Sequence, residues 1–137
     1  MDIDEIERLS REFRAKIDAT PKDQFSINMI FFPGSCGDTS LLLSRYLDEA
    51  GMGKFNYISA RKGERTHAWL QSGKLIIDIT VDQFPEFDDP CFVKQEHPWH
   101  DTWTAEDKGE ANWQQMAGAQ AYALASDYDI ILNSETD

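Results

Sequence analysis

Positive charge is scarce in this chain: 13 Lys and Arg stand against 25 Asp and Glu, a formal net charge of -12. Nucleic acids and anionic membrane surfaces both need cationic partners, so neither is expected. Cysteine is scarcer still, with only Cys36 and Cys91. Two cysteines exclude a disulfide framework, and in a chain without a secretion signal both are expected as reduced thiols. Long hydrophobic runs are missing, so no membrane-spanning segment is expected. The opening "MDIDEIERLSREF" is charged throughout and holds no apolar core of signal-peptide length. The expected location is the cytoplasm, or a target cell reached through a dedicated delivery system. Repeats, low-complexity tracts and linkers are also lacking.

What is there suits one folded domain over residues 1–137, with 41% hydrophobic residues. Ile3, Ile6, Leu9, Phe13 and Ile17 recur at steps of three or four, which predicts one helix ending before Pro21. "FSINMIFF" (25–32) reads as a strand or a buried turn, closed by Pro33-Gly34. A helix is predicted from Cys36 to about Ala50, with Gly51 as its stop. Strands are predicted at 54–59, 66–71, 74–80 and 90–95. Residues 96–109 read as irregular, "EANWQQMAGAQAYALAS" as a second long helix and "DYDIIL" (127–132) as a last strand. The sum is an α+β domain in which the Cys36 helix packs on a mainly antiparallel sheet.

The pair "THAWLQ" and "KLIIDIT" carries the most information. With Ser72-Gly73 as a two-residue loop, Gln71 pairs with Lys74, Trp69 with Ile76 and His67 with Asp78. His67 and Asp78 then share one face, while Ala68, Leu70, Leu75, Ile77 and Ile79 form a coherent apolar set on the other. A carboxylate beside an imidazole fixes its tautomer and stabilises the imidazolium. Asp78 in an apolar strand needs such a partner, because an unpaired buried carboxylate is costly. A backbone N–H, Arg61 or Arg65 would serve it equally well in a purely structural role.

Cys36 opens its helix within "FFPGSCGDTSLLLSRYL". A thiolate at a helix N-terminus is favoured by the dipole and by free N–H groups, which also face a developing oxyanion. A lone cysteine is more often a buried small hydrophobe. Together with His67 as base and acid and Asp78 as orienter, Cys36 becomes a nucleophile.

These residues, "GSCGDTSLLLSRYL", "THAWL" and "IIDIT" in that order, resemble the papain-like and transglutaminase-like cysteine hydrolases. They look most like the papain-fold toxin domains of bacterial polymorphic toxin systems, over about residues 30–85. The resemblance implies a papain-like fold and a Cys36-His67-Asp78 triad. It also implies a protein or peptide substrate and, for a toxin, a cognate immunity or inhibitor protein. The chain departs from the family in one respect. Papain relatives place an oxyanion-binding glutamine a few residues before the cysteine, and here position 30 is Ile, with Gln24 and Asn28 the nearest amides.

Around the triad, Ser35 and Gly37 leave room for a substrate carbonyl. Asn28, Trp69 and Gln83 are further substrate or oxyanion candidates, with core packing the favoured reading of Trp69 and a strand-end role the alternative for Gln83. Cys91 reads as a small strand hydrophobe. His97 and His100, with Glu96 and Asp101 beside them, have the content of a metal site, but Pro98 disfavours a helix there and no second ligand pair is evident. That stretch is instead expected to rim the cleft; no metal and no cofactor is expected. The expected reaction is amide hydrolysis through a thioester, as a peptidase or glutamine deamidase. Transglutaminase or acyl-transferase chemistry shares the same first half, and a non-enzymatic binding module on the same fold is the alternative of another class.

Overall fold

The structure is a computed structural model, and it describes residues 2–25, 36–112 and 118–134. Helix α1 spans Ile3–Ala19. The Asp2 side chain accepts from the Glu5 N–H at 3.1 Å and so caps its start. Such a cap contributes about 1 kcal/mol. Helix α2 spans Cys36–Glu49. It ends as the sequence predicts: the Gly51 N–H reaches the Asp48 carbonyl and the Met52 N–H reaches the Leu47 carbonyl. Gly51 takes the left-handed φ of 85° that this closure demands. Helix α3 spans Gly118–Leu132.

Five strands follow as β1 (Asn56–Lys62), β2 (Arg65–Ser72), β3 (Leu75–Asp78), β4 (Phe92–Lys94) and β5 (Thr104–Glu110). They form one antiparallel sheet in the order β4-β3-β2-β1-β5. The α+β class expected from the sequence is therefore observed. Among the described residues, no helix is long and apolar enough to cross a membrane.

Both faces of the sheet are covered. On one, Leu70, Leu75, Ile77 and Val93 pack against Ile6 and Phe13 of α1, Leu42 and Leu47 of α2, and Leu124 and Ile131 of α3. Each large side chain fully buried there contributes roughly 1.5–3 kcal/mol. On the other face, Ile58, Ala60, Trp69, Ile76 and Phe92 meet Val81, Phe84 and Trp103 from the segments between the strands. This second, aromatic core covers the part of the sheet that holds His67.

Three sequence expectations need correction. The loop between β2 and β3 is Gly73-Lys74, not Ser72-Gly73, because Ser72 pairs with Leu75 and Leu70 with Ile77. Gly73 stands first in the turn with a φ of 58°, the position where a tight hairpin turn requires glycine. The register is thus shifted by two residues, which leaves every side chain on its predicted face. "DYDIIL" is not a strand but the end of α3; Leu124, Tyr128 and Ile131 recur at helical steps and are buried. Residues 104–109, read as irregular, belong to β5, an exposed edge strand. The predicted segment 26–32 and the helix start at 113–117 lie outside the described residues.

Candidate functional site

Asp78 ends β3 and is 1% exposed. Its position follows from the apolar run around it, which draws the strand into the interior. Its Oδ2 accepts from His67 Nε2 at 2.7 Å and from His100 Nε2 at 2.8 Å. Its Oδ1 accepts from the Thr80 N–H at 3.1 Å, a local turn that also redirects the chain out of the strand. Burial works against the charge on Asp78, but hydrogen bonds from His100 and His67 outweigh it and hold the carboxyl below the usual range.

His67 comes from β2 and lies on the aromatic face. Continuing the observed register sets Asp78 opposite Trp69, so His67 meets Asp78 diagonally rather than directly across. Its ring is walled by Phe84, Trp69, Trp103 and Trp99, with centroids 4.9, 5.7, 5.8 and 6.2 Å away. This burial disfavours the imidazolium. Hydrogen bonds and charge from Asp78 and Cys36 prevail over it and raise the pKa to about 9. Asp78 occupies Nε2, which leaves Nδ1 open to other partners. Of the three predicted triad residues, His67 and Asp78 are hydrogen-bonded to each other, and Cys36 raises the pKa of the same ring.

The other candidates fare differently. Gln83 sits in a short turn, Val81–Gln83, with its Nε2 3.3 Å from His67 Nδ1 and 3.0 Å from the Thr80 carbonyl. It therefore stands at the imidazole edge that Asp78 leaves open. Trp69 is 1% exposed and packs edge-on to His100 at 4.8 Å. It is a core residue that also dries the site, not an open substrate wall. Beside Gly37 stands the Tyr57 hydroxyl, 2.8 Å from where a Cβ would lie. Ser35 and Asn28 lie outside the described residues. Cys91 is buried and free, as the sequence suggests, and Cys36 is half-buried and free. Burial pushes the Cys91 thiol up to about 12.

The histidine pair at 97 and 100 separates. His97 bonds Asp101 at 2.9 Å and the Lys74 carbonyl at 3.0 Å near the surface, while His100 turns inward to Asp78. The stretch does not rim an open cleft; Trp99, His100 and Trp103 pack over the sheet. His67, Asp78 and His100 together present three metal-ligand atoms within 4.8 Å of one another. Two ligands of a tetrahedral zinc stand about 3.4 Å apart, given bonds near 2.1 Å. The 2.7 and 2.8 Å spacings suit hydrogen bonds to one carboxylate oxygen instead. With its Nε2–H given to Asp78, His100 is left with a buried Nδ1 that finds no partner among the described residues.

His100 and Tyr57 are the residues that sequence reasoning missed. No local signal links His100 to a carboxylate 22 residues earlier in the chain. The signal for Tyr57 was weak: it lies opposite Leu70 in β1, and so on the helix side of the sheet. One further contact holds the site's turn in place. Arg14 of α1 donates to the Ile79 carbonyl at 2.6 Å and to both Asp82 oxygens at 2.8 and 2.9 Å. The guanidinium thereby ties α1 to the segment between Asp78 and Gln83. Set against protein-family models, curated proteins and solved structures, the chain finds no match.

Proposed function

We propose that the protein is a cysteine hydrolase of papain-like fold that cleaves an amide bond in a protein substrate through a thioester on Cys36. The observation that carries the reading is the buried His67–Asp78 bond, at 2.7 Å, on a ring whose pKa Cys36 also raises. An imidazole held this way takes the thiol proton as the sulfur attacks, and Asp78 stabilises the imidazolium that forms. The sulfur adds to the carbonyl carbon. The departing amine takes its proton from His67, and a water activated by the neutral ring then releases the acyl group.

Peptidase and glutamine deamidase are the two forms of this reading, and a transglutaminase or acyl transferase would share its first half. The likeness to bacterial toxin domains favours a protein target in another cell and a cognate immunity protein. A non-enzymatic binding module is disfavoured by the cost of burying Asp78 and two histidines at a half-buried thiol, an arrangement a binding surface does not need. Intact-mass measurement of candidate proteins incubated with wild type and with Cys36→Ala tests the proposal. Fragments indicate cleavage, a gain of about one dalton per site indicates deamidation, and cross-linked masses indicate transfer, by the acyl chemistry above. No mass change that depends on Cys36 would refute it.

A further inference from the structure

A tyrosine occupies the space the sequence leaves open beside the thiol. Gly37 follows Cys36 at the start of α2, and a Cβ placed on it would lie 2.8 Å from Tyr57 Oη. That is closer than non-bonded atoms tolerate, so the absent side chain makes room for the phenol. Burial is the main influence on this phenol, and the charges of Cys36 and Asp38 act with it; all three push its pKa up. Tyr57 therefore remains an O–H donor through the neutral range. Gly37 directly follows Cys36, so the same contact sets the hydroxyl beside the backbone next to the thiol residue.

We infer that Tyr57 Oη–H donates to the oxyanion formed when the Cys36 sulfur adds to a carbonyl, an inference that rests on the proposed nucleophilic role of Cys36. The sulfur lone pair forms the C–S bond, and the C=O π pair moves onto oxygen. The Tyr57 hydroxyl at the start of α2 faces that negative charge. When the C=O re-forms, the C–N bond breaks and the amine leaves with the proton from His67. The phenol thus fills the role left without a glutamine at position 30. Trp103 Nε1, also buried without a partner among the described residues, stands over the His67 ring and not at Gly37.

Two probes of Cys36 separate this role from a structural one. Iodoacetamide alkylates the thiolate by direct displacement and forms no oxyanion. p-Nitrophenyl acetate acylates it through a tetrahedral oxyanion. Tyr57→Phe removes one oxygen and keeps the ring. It is expected to alkylate at the wild-type rate and to acylate roughly 100-fold more slowly, the usual effect of losing one oxyanion donor. Gly37→Ala, whose methyl displaces the phenol, is expected to show the same selective loss. Equal acylation by Tyr57→Phe and wild type would overturn the inference. So would an equal slowing of both reactions, which would place the effect on the thiolate or on the fold. A wild-type Cys36 inert to both probes would instead refute the nucleophilic role, and the inference with it.

Discussion

Asp78→Asn is the most informative single change. It keeps the shape of a residue that is 1% exposed and removes the charge shared by two histidines. In the wild type His67 is raised from 6.5 to about 9. That difference corresponds to roughly 3 kcal/mol in favour of the imidazolium, supplied by Asp78 and Cys36 against the cost of burial. In the variant the burial remains and the carboxylate does not, so His67 is expected to titrate well below its wild-type value. Stability should respond with a definite sign. The raised histidine contributes stability that is fully present below pH 6.5 and lost as pH rises through about 9. The lowered Asp78 contributes stability present above 3.8 and lost as pH falls through its folded value. The stability gap between wild type and Asp78→Asn should therefore be widest between 3.8 and 6.5 and shrink toward pH 9 and above. NMR titration of the His67 ring, with chemical denaturation at pH 6 and pH 9.5, reads both quantities. A ring that still titrates near 9 in the variant, or a gap that does not change with pH, would refute the reasoning.

Further changes probe the surroundings. His100→Phe keeps the packing against Trp69 and Phe92 but removes one charge-assisted bond to Asp78. It should lower stability by roughly 1.5–3 kcal/mol in denaturant titration, with His67 still titrating near 9. Arg14→Met leaves the buried Ile79 carbonyl unpaired and Asp82 without its bidentate partner. A loss of roughly 3 kcal/mol is expected in the same assay, together with slower alkylation of Cys36 as the Asp78–Gln83 turn loosens. Because the leaving amine takes its proton from His67, turnover should fall as pH rises through about 9. A pH–rate profile on the natural substrate or on a chromogenic amide checks this, and flat activity to pH 10 would contradict it.

The site was legible in the sequence to the extent that face parity, not register, decides it. Moving the hairpin loop from Ser72-Gly73 to Gly73-Lys74 shifts the pairing by two and leaves His67 and Asp78 on the same face. Had the error been one residue, the strand alternation would have put His67 on the helix side. The glycine itself held the clue, since the favoured turn here takes it first and not second. β5 was invisible because "TAEDKGE" has no apolar alternation; it is an edge strand exposed along nearly all its length. "DYDIIL" misled through its isoleucines, although Leu124, Tyr128 and Ile131 already carried the helical period. His100 joins the site through a tertiary contact that no spacing encodes. Its neighbour His97, which looked like its partner, instead hydrogen-bonds Asp101 and the Lys74 carbonyl near the surface.

Activation of Cys36 by His67 is the central claim, and competitive alkylation tests it most directly. Wild type and His67→Ala are treated with limiting iodoacetamide at pH 7, and the label on Cys36 and Cys91 is followed by peptide mass. Cys91, pushed up to about 12 by burial, should remain unmodified in the folded protein. Cys36 should react first in the wild type and at least roughly tenfold more slowly in His67→Ala, which removes the base that takes the thiol proton. Labelling of Cys36 at the rate of an ordinary thiol, unchanged when His67 is removed, would contradict the account.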